Sequence, residues 1–209
     1  MLCRYGASLT TIVLAAVAVA GCNANNRSAE METAAARRST FIGQVAPPFA
    51  LTDQDERLVR LADHRGRWLV LYFYPADDTP GCACQANEFT HLLTTFRDMN
   101  AAVLGVSGDS SASHRKFIAK YDLKLTLLSD PTREVMAAYG AWVQTRLGER
   151  TSSRVIRSTV IIDPAGVIRH HWPEVIPPGH ADRVRARLAE LQNPNPSGRA
   201  CGCRSDPDA

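Results

Sequence analysis

The chain has 209 residues, 45% of them hydrophobic, and its 24 Lys+Arg against 21 Asp+Glu leave a formal charge of +3. That is enough apolar material for one good core, so a single domain with tails is expected. Lysine occurs only at Lys116, Lys120 and Lys124, and the scattered arginines form no basic stripe with interleaved aromatics, which argues against a nucleic-acid partner.

Residues 8–20 (SLTTIVLAAVAVA) are apolar, follow Arg4 and precede Gly21-Cys22. The run is too short for a stable membrane span and fits the core of a signal peptide. Val19-Ala20-Gly21-Cys22 resembles the lipobox of bacterial lipoproteins. That resemblance implies removal of residues 1–21, lipid on Cys22, and an extracytoplasmic, membrane-anchored protein facing the periplasm. Asn23 is not the aspartate that retains lipoproteins at the inner membrane in enteric-type sorting, which favours the outer membrane. The alternative is an ordinary secretory signal with an incidental cysteine. Residues 22–40, rich in Ala, Asn, Ser, Arg and Glu, read as a solvated tether, and Arg37-Arg38 lies too late for a twin-arginine signal.

From Phe41 the pattern becomes globular, and the domain is expected to span 41–192. Residues 49–51 and 58–61 flank the polar turn Asp53-Gln54-Asp55-Glu56 and read as a hairpin. Residues 68–74 (WLVLYFY) form a continuous apolar run, as expected of a strand buried on both faces. After the loop 75–82 (PADDTPGC), Phe89, Leu92, Leu93 and Phe96 carry the stripe of an amphipathic helix. Residues 102–107 predict a strand, 111–121 a helix with Phe117, Ile118 and Tyr121 inward, and 127–128 a short strand. Asp130-Pro131 is expected to cap a helix ending near Tyr139. Residues 155–163 predict one strand, 167–172 its hairpin partner, and 181–192 a closing helix. Strands alternating with helices, plus a terminal hairpin, predict an α/β fold with a central mixed sheet flanked by helices. Residues 193–209 form a Pro/Asn/Gly-rich tail carrying Cys201 and Cys203.

The loop 75–82 stands where a core strand hands over to a helix. Thr79-Pro80 suits a cap and first turn, which places Cys82 at the helix N-terminus, where unpaired amides and the dipole favour a thiolate. Pro75-x-x-x-Thr79-x-x-Cys82 resembles the active-site signature of peroxiredoxins. The longer string from Tyr72 to Cys82 is similar to their bacterioferritin-comigratory-protein (PrxQ) branch. The likeness continues through Gly105-Val106-Ser107-Gly108-Asp109, Leu128-Ser129-Asp130-Pro131, Arg157-Ser158-Thr159 and Pro178-Gly179-His180-Ala181. It covers roughly residues 41–191. It implies a thioredoxin-like fold and a thiol peroxidase acting on hydrogen peroxide and organic hydroperoxides, with no cofactor and no metal. Residue by residue it implies Cys82 as the nucleophile that becomes a sulfenic acid. Thr79 would bond sulfur and peroxide, Pro75 would shield the intermediate, and Arg157 would favour the thiolate while orienting peroxide oxygens. Gln85 takes a supporting role.

The sequence also departs from that branch. Many members carry the resolving cysteine five residues after the nucleophile, where this chain has Asn87. The candidates left are Cys84, two residues on and so on another helix face, and the tail cysteines Cys201 and Cys203. Re-reduction directly by a small thiol or a thioredoxin-like partner is the further option. His170 and His171, adjacent on a strand, point to opposite faces and do not chelate together; His180 reads as structural. A monomer or weak dimer is expected. The rival readings are a thioredoxin-like disulfide oxidoreductase using Cys82 and Cys84, although no Cys-x-x-Cys is present, and a copper-binding thioredoxin-fold protein.

Overall fold

The computed structural model describes residues 41–147 and 150–193. Its strands and helices are, in order, β1 (Ala50–Asp53), β2 (Leu58–Arg60), β3 (Trp68–Phe73), α1 (Pro80–Asp98), β4 (Ala101–Ser107), α2 (Ser111–Tyr121) and β5 (Thr126–Ser129). There follow α3 (Glu134–Ala138), β6 (Trp142–Leu147), β7 (Arg150–Val155), β8 (Ser158–Ile162), β9 (Ile168–Trp172) and α4 (His180–Gln192). Seven strands form one sheet in the order β2-β1-β5-β4-β3-β8-β9. The central trio β3, β4 and β5 is parallel, and the outer pairs are antiparallel. The mixed sheet flanked by helices is therefore present as expected.

The apolar run of β3 shows why it sits at the centre. Leu69 to Tyr74 are all 0–1% exposed. Val70, Tyr72 and Tyr74 face one layer, packed against Phe89 and Phe96 of α1, Phe117 of α2, and Val184 and Leu188 of α4. Leu69, Leu71 and Phe73 face the other, with Phe49, Leu61, Met136 and Tyr139. Gly105, opposite Tyr72 in the parallel β3–β4 pair, makes room for that ring: a Cβ there would lie 2.6 Å from the Tyr72 hydroxyl. The stripe on α1 holds, with Phe89 and Phe96 fully buried and Leu92 and Leu93 half-buried against the same core.

Three expectations need correction. The strand expected at 155–163 is broken: β7 ends at Val155, and β8 begins at Ser158 in the main sheet. β7 instead pairs with β6 in a separate two-stranded ribbon, from Trp142↔Val155 to Leu147↔Arg150. The helix expected to run from Asp130 to Tyr139 contracts to the five residues of α3, with Arg133 before it in the left-handed region at φ 62°. Asp130 does cap this short helix, although Arg133 stands at the N-cap position: its buried carboxylate accepts the amide of Met136, the third residue of α3, at 2.8 Å, and the Thr132 hydroxyl at 3.3 Å. Thr79 occupies the cap position of α1 with extended backbone, but its side chain makes no cap bond. The expected leader (1–21), tether (22–40) and tail lie outside the described residues, and with them Cys22, Cys201 and Cys203. Among the described residues no helix is long and apolar enough to cross a membrane.

Candidate active site

Cys82 is the third residue of α1, just past Thr79 and Pro80, and only 2% exposed. A thiol in the first helical turn meets amide groups that no preceding turn can satisfy, together with the positive end of the helix dipole. The charge that faces it comes from elsewhere in the chain. Arg157, in the two-residue link between β7 and β8, donates from Nη2 to Cys82 Sγ at 3.1 Å and from Nη1 to Gln85 Oε1 at 2.7 Å. Its backbone is fixed on both sides: Val175 N donates to Arg157 O, and Ile156 N to Ala141 O. The guanidinium and Pro177 both come close to the first turn of α1: a Cβ at Gly81 would stand 3.4 Å from Arg157 Nη2 and 3.5 Å from Pro177 Cγ, ordinary contact distances. The structure thus brings Cys82, Gln85 and Arg157 together.

The other two residues of the motif are placed differently. Thr79 is half-buried and its hydroxyl donates to Ala76 O at 3.3 Å, inside its own loop. Pro75 is exposed where β3 ends. Cys84 is half-buried, a free thiol turned toward Glu88 Oε1 at 3.9 Å. That carboxylate also accepts the Gly179 amide at 2.6 Å and the Ala181 amide at 3.4 Å, so Glu88 holds the start of α4 against α1. His180 is 1% exposed and bonds Thr159 Oγ1 at 2.9 Å, in keeping with a structural role. Burial, with Arg183 and Arg157 nearby, holds its pKa down to about 3. His170 accepts from Arg187 Nε while His171 packs edge-on against Phe41, so the two rings do diverge.

A polar cluster that the sequence reading missed fastens the loop before Cys82. Asp77 accepts the Tyr74 hydroxyl at 2.8 Å and the Ser113 hydroxyl at 2.7 Å, and its Oδ2 lies 2.9 Å from His114 Nδ1. Its own amide donates to Asp109 Oδ2, which also accepts the Ser107 hydroxyl. Burial alone would raise the Asp77 pKa; the bonds from His114, Ser113 and Tyr74 outweigh it and hold the group below its usual range. Asp78 adds a second tie, to Lys120 Nζ at 2.6 Å and the Tyr121 hydroxyl at 2.8 Å. Both carboxylates reach α2, so the loop rests on a neighbouring helix as well as on its own strand. The available signal was His114, a polar residue three positions before Phe117 on the apolar face of α2.

Comparison with known proteins bears on this geometry. Residues 42–171 match the AhpC/TSA family. The chain is 41% identical over 147 residues to the peroxiredoxin-assigned protein bcp of Helicobacter pylori (strain J99), covering 70% of this chain and 97% of that one. It is 41% identical over 151 residues to the chloroplastic peroxiredoxin Q of Sedum lineare, covering 72% and 78%. Among solved structures it is similar to the bacterioferritin comigratory protein of Xanthomonas campestris, studied for alkyl peroxide reduction. That match has a TM-score of 0.66 and 34% identity over 68% of this chain and 91% of the other.

Proposed function

Since this chain belongs to the peroxiredoxins, as a member of the AhpC/TSA family and of the bcp/PrxQ branch within it, we propose that Cys82 is the nucleophile of its reaction. The enzyme is a thiol peroxidase with a thioredoxin-like fold, reducing hydrogen peroxide and organic hydroperoxides at the expense of a thiol. The Cys82 thiolate attacks one peroxide oxygen. The O–O bond breaks, and the other oxygen leaves as hydroxide or alkoxide and takes up a proton, giving water or an alcohol. Cys82 is left as a sulfenic acid, oxidised by two electrons. A thiol then attacks that sulfur and expels water, and a second thiol restores Cys82 while leaving as the disulfide. The observation that carries the assignment is the 3.1 Å contact between Arg157 Nη2 and Cys82 Sγ. A guanidinium keeps its charge at every working pH, so it can face both the thiolate and the charge that develops on oxygen. Thr79 and Pro75 take the roles their places in the motif imply, one toward the peroxide oxygens and one as cover for the sulfenic acid.

The second half of the cycle is best served by an external thiol, small or thioredoxin-like. Cys84 is turned toward Glu88. The end of α4 is bound to the far end of α1, through Gln192 Nε2 to Met99 O at 2.6 Å. At ~1.5 Å rise per residue that point lies about 25 Å along α1 from Cys82. Eight residues from Asn193 to Cys201 span at most about 28 Å and ten to Cys203 about 35 Å, so Cys201 would reach Cys82 only almost fully extended and Cys203 at about seven-tenths of full extension. The Val19–Cys22 motif supports export and a lipid on Cys22, which would restrict the donor to thiols outside the cytoplasm; metabolic labelling with a radioactive fatty acid, lost in Cys22→Ala, tests this.

Peroxide consumption with added dithiol tests the catalytic assignment. Cys82→Ser is expected to abolish it, and full turnover by that variant would sink the assignment. Mass spectrometry after one equivalent of peroxide tests the resolver. A persistent sulfenic acid or an adduct of the added thiol is expected, whereas a link from Cys82 to Cys84, Cys201 or Cys203 overturns the external-thiol reading.

A further inference from the structure

Arg133 is costly to hold where it stands. It is half-buried, and its backbone lies in the left-handed region at φ 62°, which a glycine would occupy with less strain. Its Nε is buried with no acceptor, and it forms no ion pair, among the described residues. The carboxylates of the adjoining loops are engaged elsewhere. Asp109 accepts the Asp77 amide and the Ser107 hydroxyl, and Asp130 the Met136 amide and the Thr132 hydroxyl. What the guanidinium does touch is well defined. Its Cζ stands 4.8 Å over the centroid of the Trp142 ring. It also lies against Gly108, where a Cβ would come within 3.2 Å of Nη2 and 3.3 Å of Cζ, and Nη1 donates to Pro131 O at 3.2 Å. A flat, permanently charged group laid on an aromatic face and on bare backbone is a contact that a lysine ammonium does not reproduce.

Gly108 and Trp142 belong to the two arms of the active site. Gly108 precedes Asp109, whose carboxylate takes the Asp77 amide in the loop that ends at Cys82. Trp142 pairs with Val155 at the base of the ribbon, beside the Ile156–Ala141 bond, and Arg157 follows directly. Cys82 and Arg157 are 75 positions apart in the chain and meet at 3.1 Å, so their spacing depends on how the two arms are held together. We infer that Arg133 is a positioning residue: keyed between Gly108 and Trp142, it holds the loop that carries Cys82 against the ribbon base that carries Arg157, and so sets the distance from sulfur to guanidinium. This rests on Cys82 being the nucleophile and Arg157 its partner, and the test separates the two ideas.

The experiment is a double-variant cycle on the single-turnover rate of peroxide consumption by the full chain. It compares wild type, Arg133→Lys, Arg157→Met and the two combined, with Cys82→Ser as control. Arg133→Lys keeps the charge and loses the stacked plane; it is expected to slow the reaction about fivefold or more, since small misplacements of reacting groups are expensive. Because Arg133 acts through Arg157, the same change in the Arg157→Met background is expected to slow it less than about twofold. A merely structural role would slow both backgrounds equally. Trp142→Leu is expected to repeat this pattern, and Trp142→Phe, which restores a ring face, to recover most of the loss. A slowing of less than about twofold in Arg133→Lys, or one of about twofold or more that persists in the Arg157→Met background, overturns the proposal and leaves the nucleophile assignment intact. Activity in Cys82→Ser overturns the nucleophile assignment instead. Should Arg133→Lys fail to fold, Trp142→Leu takes its place in the cycle and is judged by the same two thresholds.

Discussion

Two buried polar side chains in the same neighbourhood should respond to removal in opposite ways. The Asp77 side chain is 5% exposed and accepts from Tyr74, Ser113 and His114. Asp77→Ala takes the acceptor from the buried Tyr74 and His114 and the half-buried Ser113, so it should cost about 2–4 kcal/mol of folding stability and slow peroxide reduction by loosening the loop. The Tyr72 hydroxyl is buried with no partner among the described residues. Tyr72→Phe removes an unpaid desolvation cost and should be neutral or stabilising, by up to about 1 kcal/mol. Urea midpoints of the two variants check both, and a clear loss in Tyr72→Phe would show that the hydroxyl has a partner in solution. At this scale the sequence was informative about Cys82, because strand, Pro/Gly loop and helix are contiguous there. It was silent about the Asp77–His114 contact, which joins residues 37 positions apart through a helix face that reads as apolar. Arg157 lies 75 positions from Cys82, and only the ordered run of motifs linked the two.

Secondary elements were legible wherever burial imposed a period. The all-buried β3 and the stripe on α1 were read nearly to the residue, because each has one face, or two, pressed into the core. The β6–β7 ribbon was missed because Gln144, Ser152, Ser153 and Arg154 are exposed, and a ribbon outside the main sheet needs no apolar alternation. Helix α3 is shorter than its pattern suggests because the chain turns through Arg133 in the left-handed region before the helix starts, so Asp130 caps it from four residues upstream, through the Met136 amide. The β3–β4 pair yields a sharp prediction. A Cβ on Gly105 would meet the Tyr72 ring at 2.6 Å and Leu127 Cδ2 at 2.8 Å, both inside a packed layer that cannot yield cheaply. Gly105→Ala should therefore lose about 1–3 kcal/mol. A thermal transition unchanged from wild type would mean that the ring has room to move.

For the molecule as a whole, acid should be destabilising well before the carboxylates titrate. Burial leads in lowering His64, in lowering His170 to about 4, and in lowering His180 to about 3, with neighbouring arginines adding to it in each case. Below a pH of about 6.5 the unfolded chain therefore takes up protons that the folded chain refuses, so stability falls as pH falls, by about 1.4 kcal/mol per pH unit for each such proton. The fall continues to pH 4 for His170 and further for His180. The carboxylates of Asp77 and Asp163, held low in the fold despite their burial, add their own loss only below that. Urea unfolding at pH 7, 6 and 5 should show a declining midpoint, with a shallower decline in His180→Gln. A flat profile across that range would contradict the buried, neutral state of these rings.

The ribbon that separates Tyr139 from Arg157 has one more implication, for how relatives of this chain can diverge. Its base is clamped by the Trp142↔Val155 pairing and by the Ile156–Ala141 hydrogen bond, and Arg157 follows directly. Whatever happens beyond that clamp is mechanically cut off from the guanidinium. Insertions and deletions can therefore accumulate in the ribbon's outer half over evolutionary time, altering the silhouette the enzyme shows to others while the distance from arginine to sulfur stays the same.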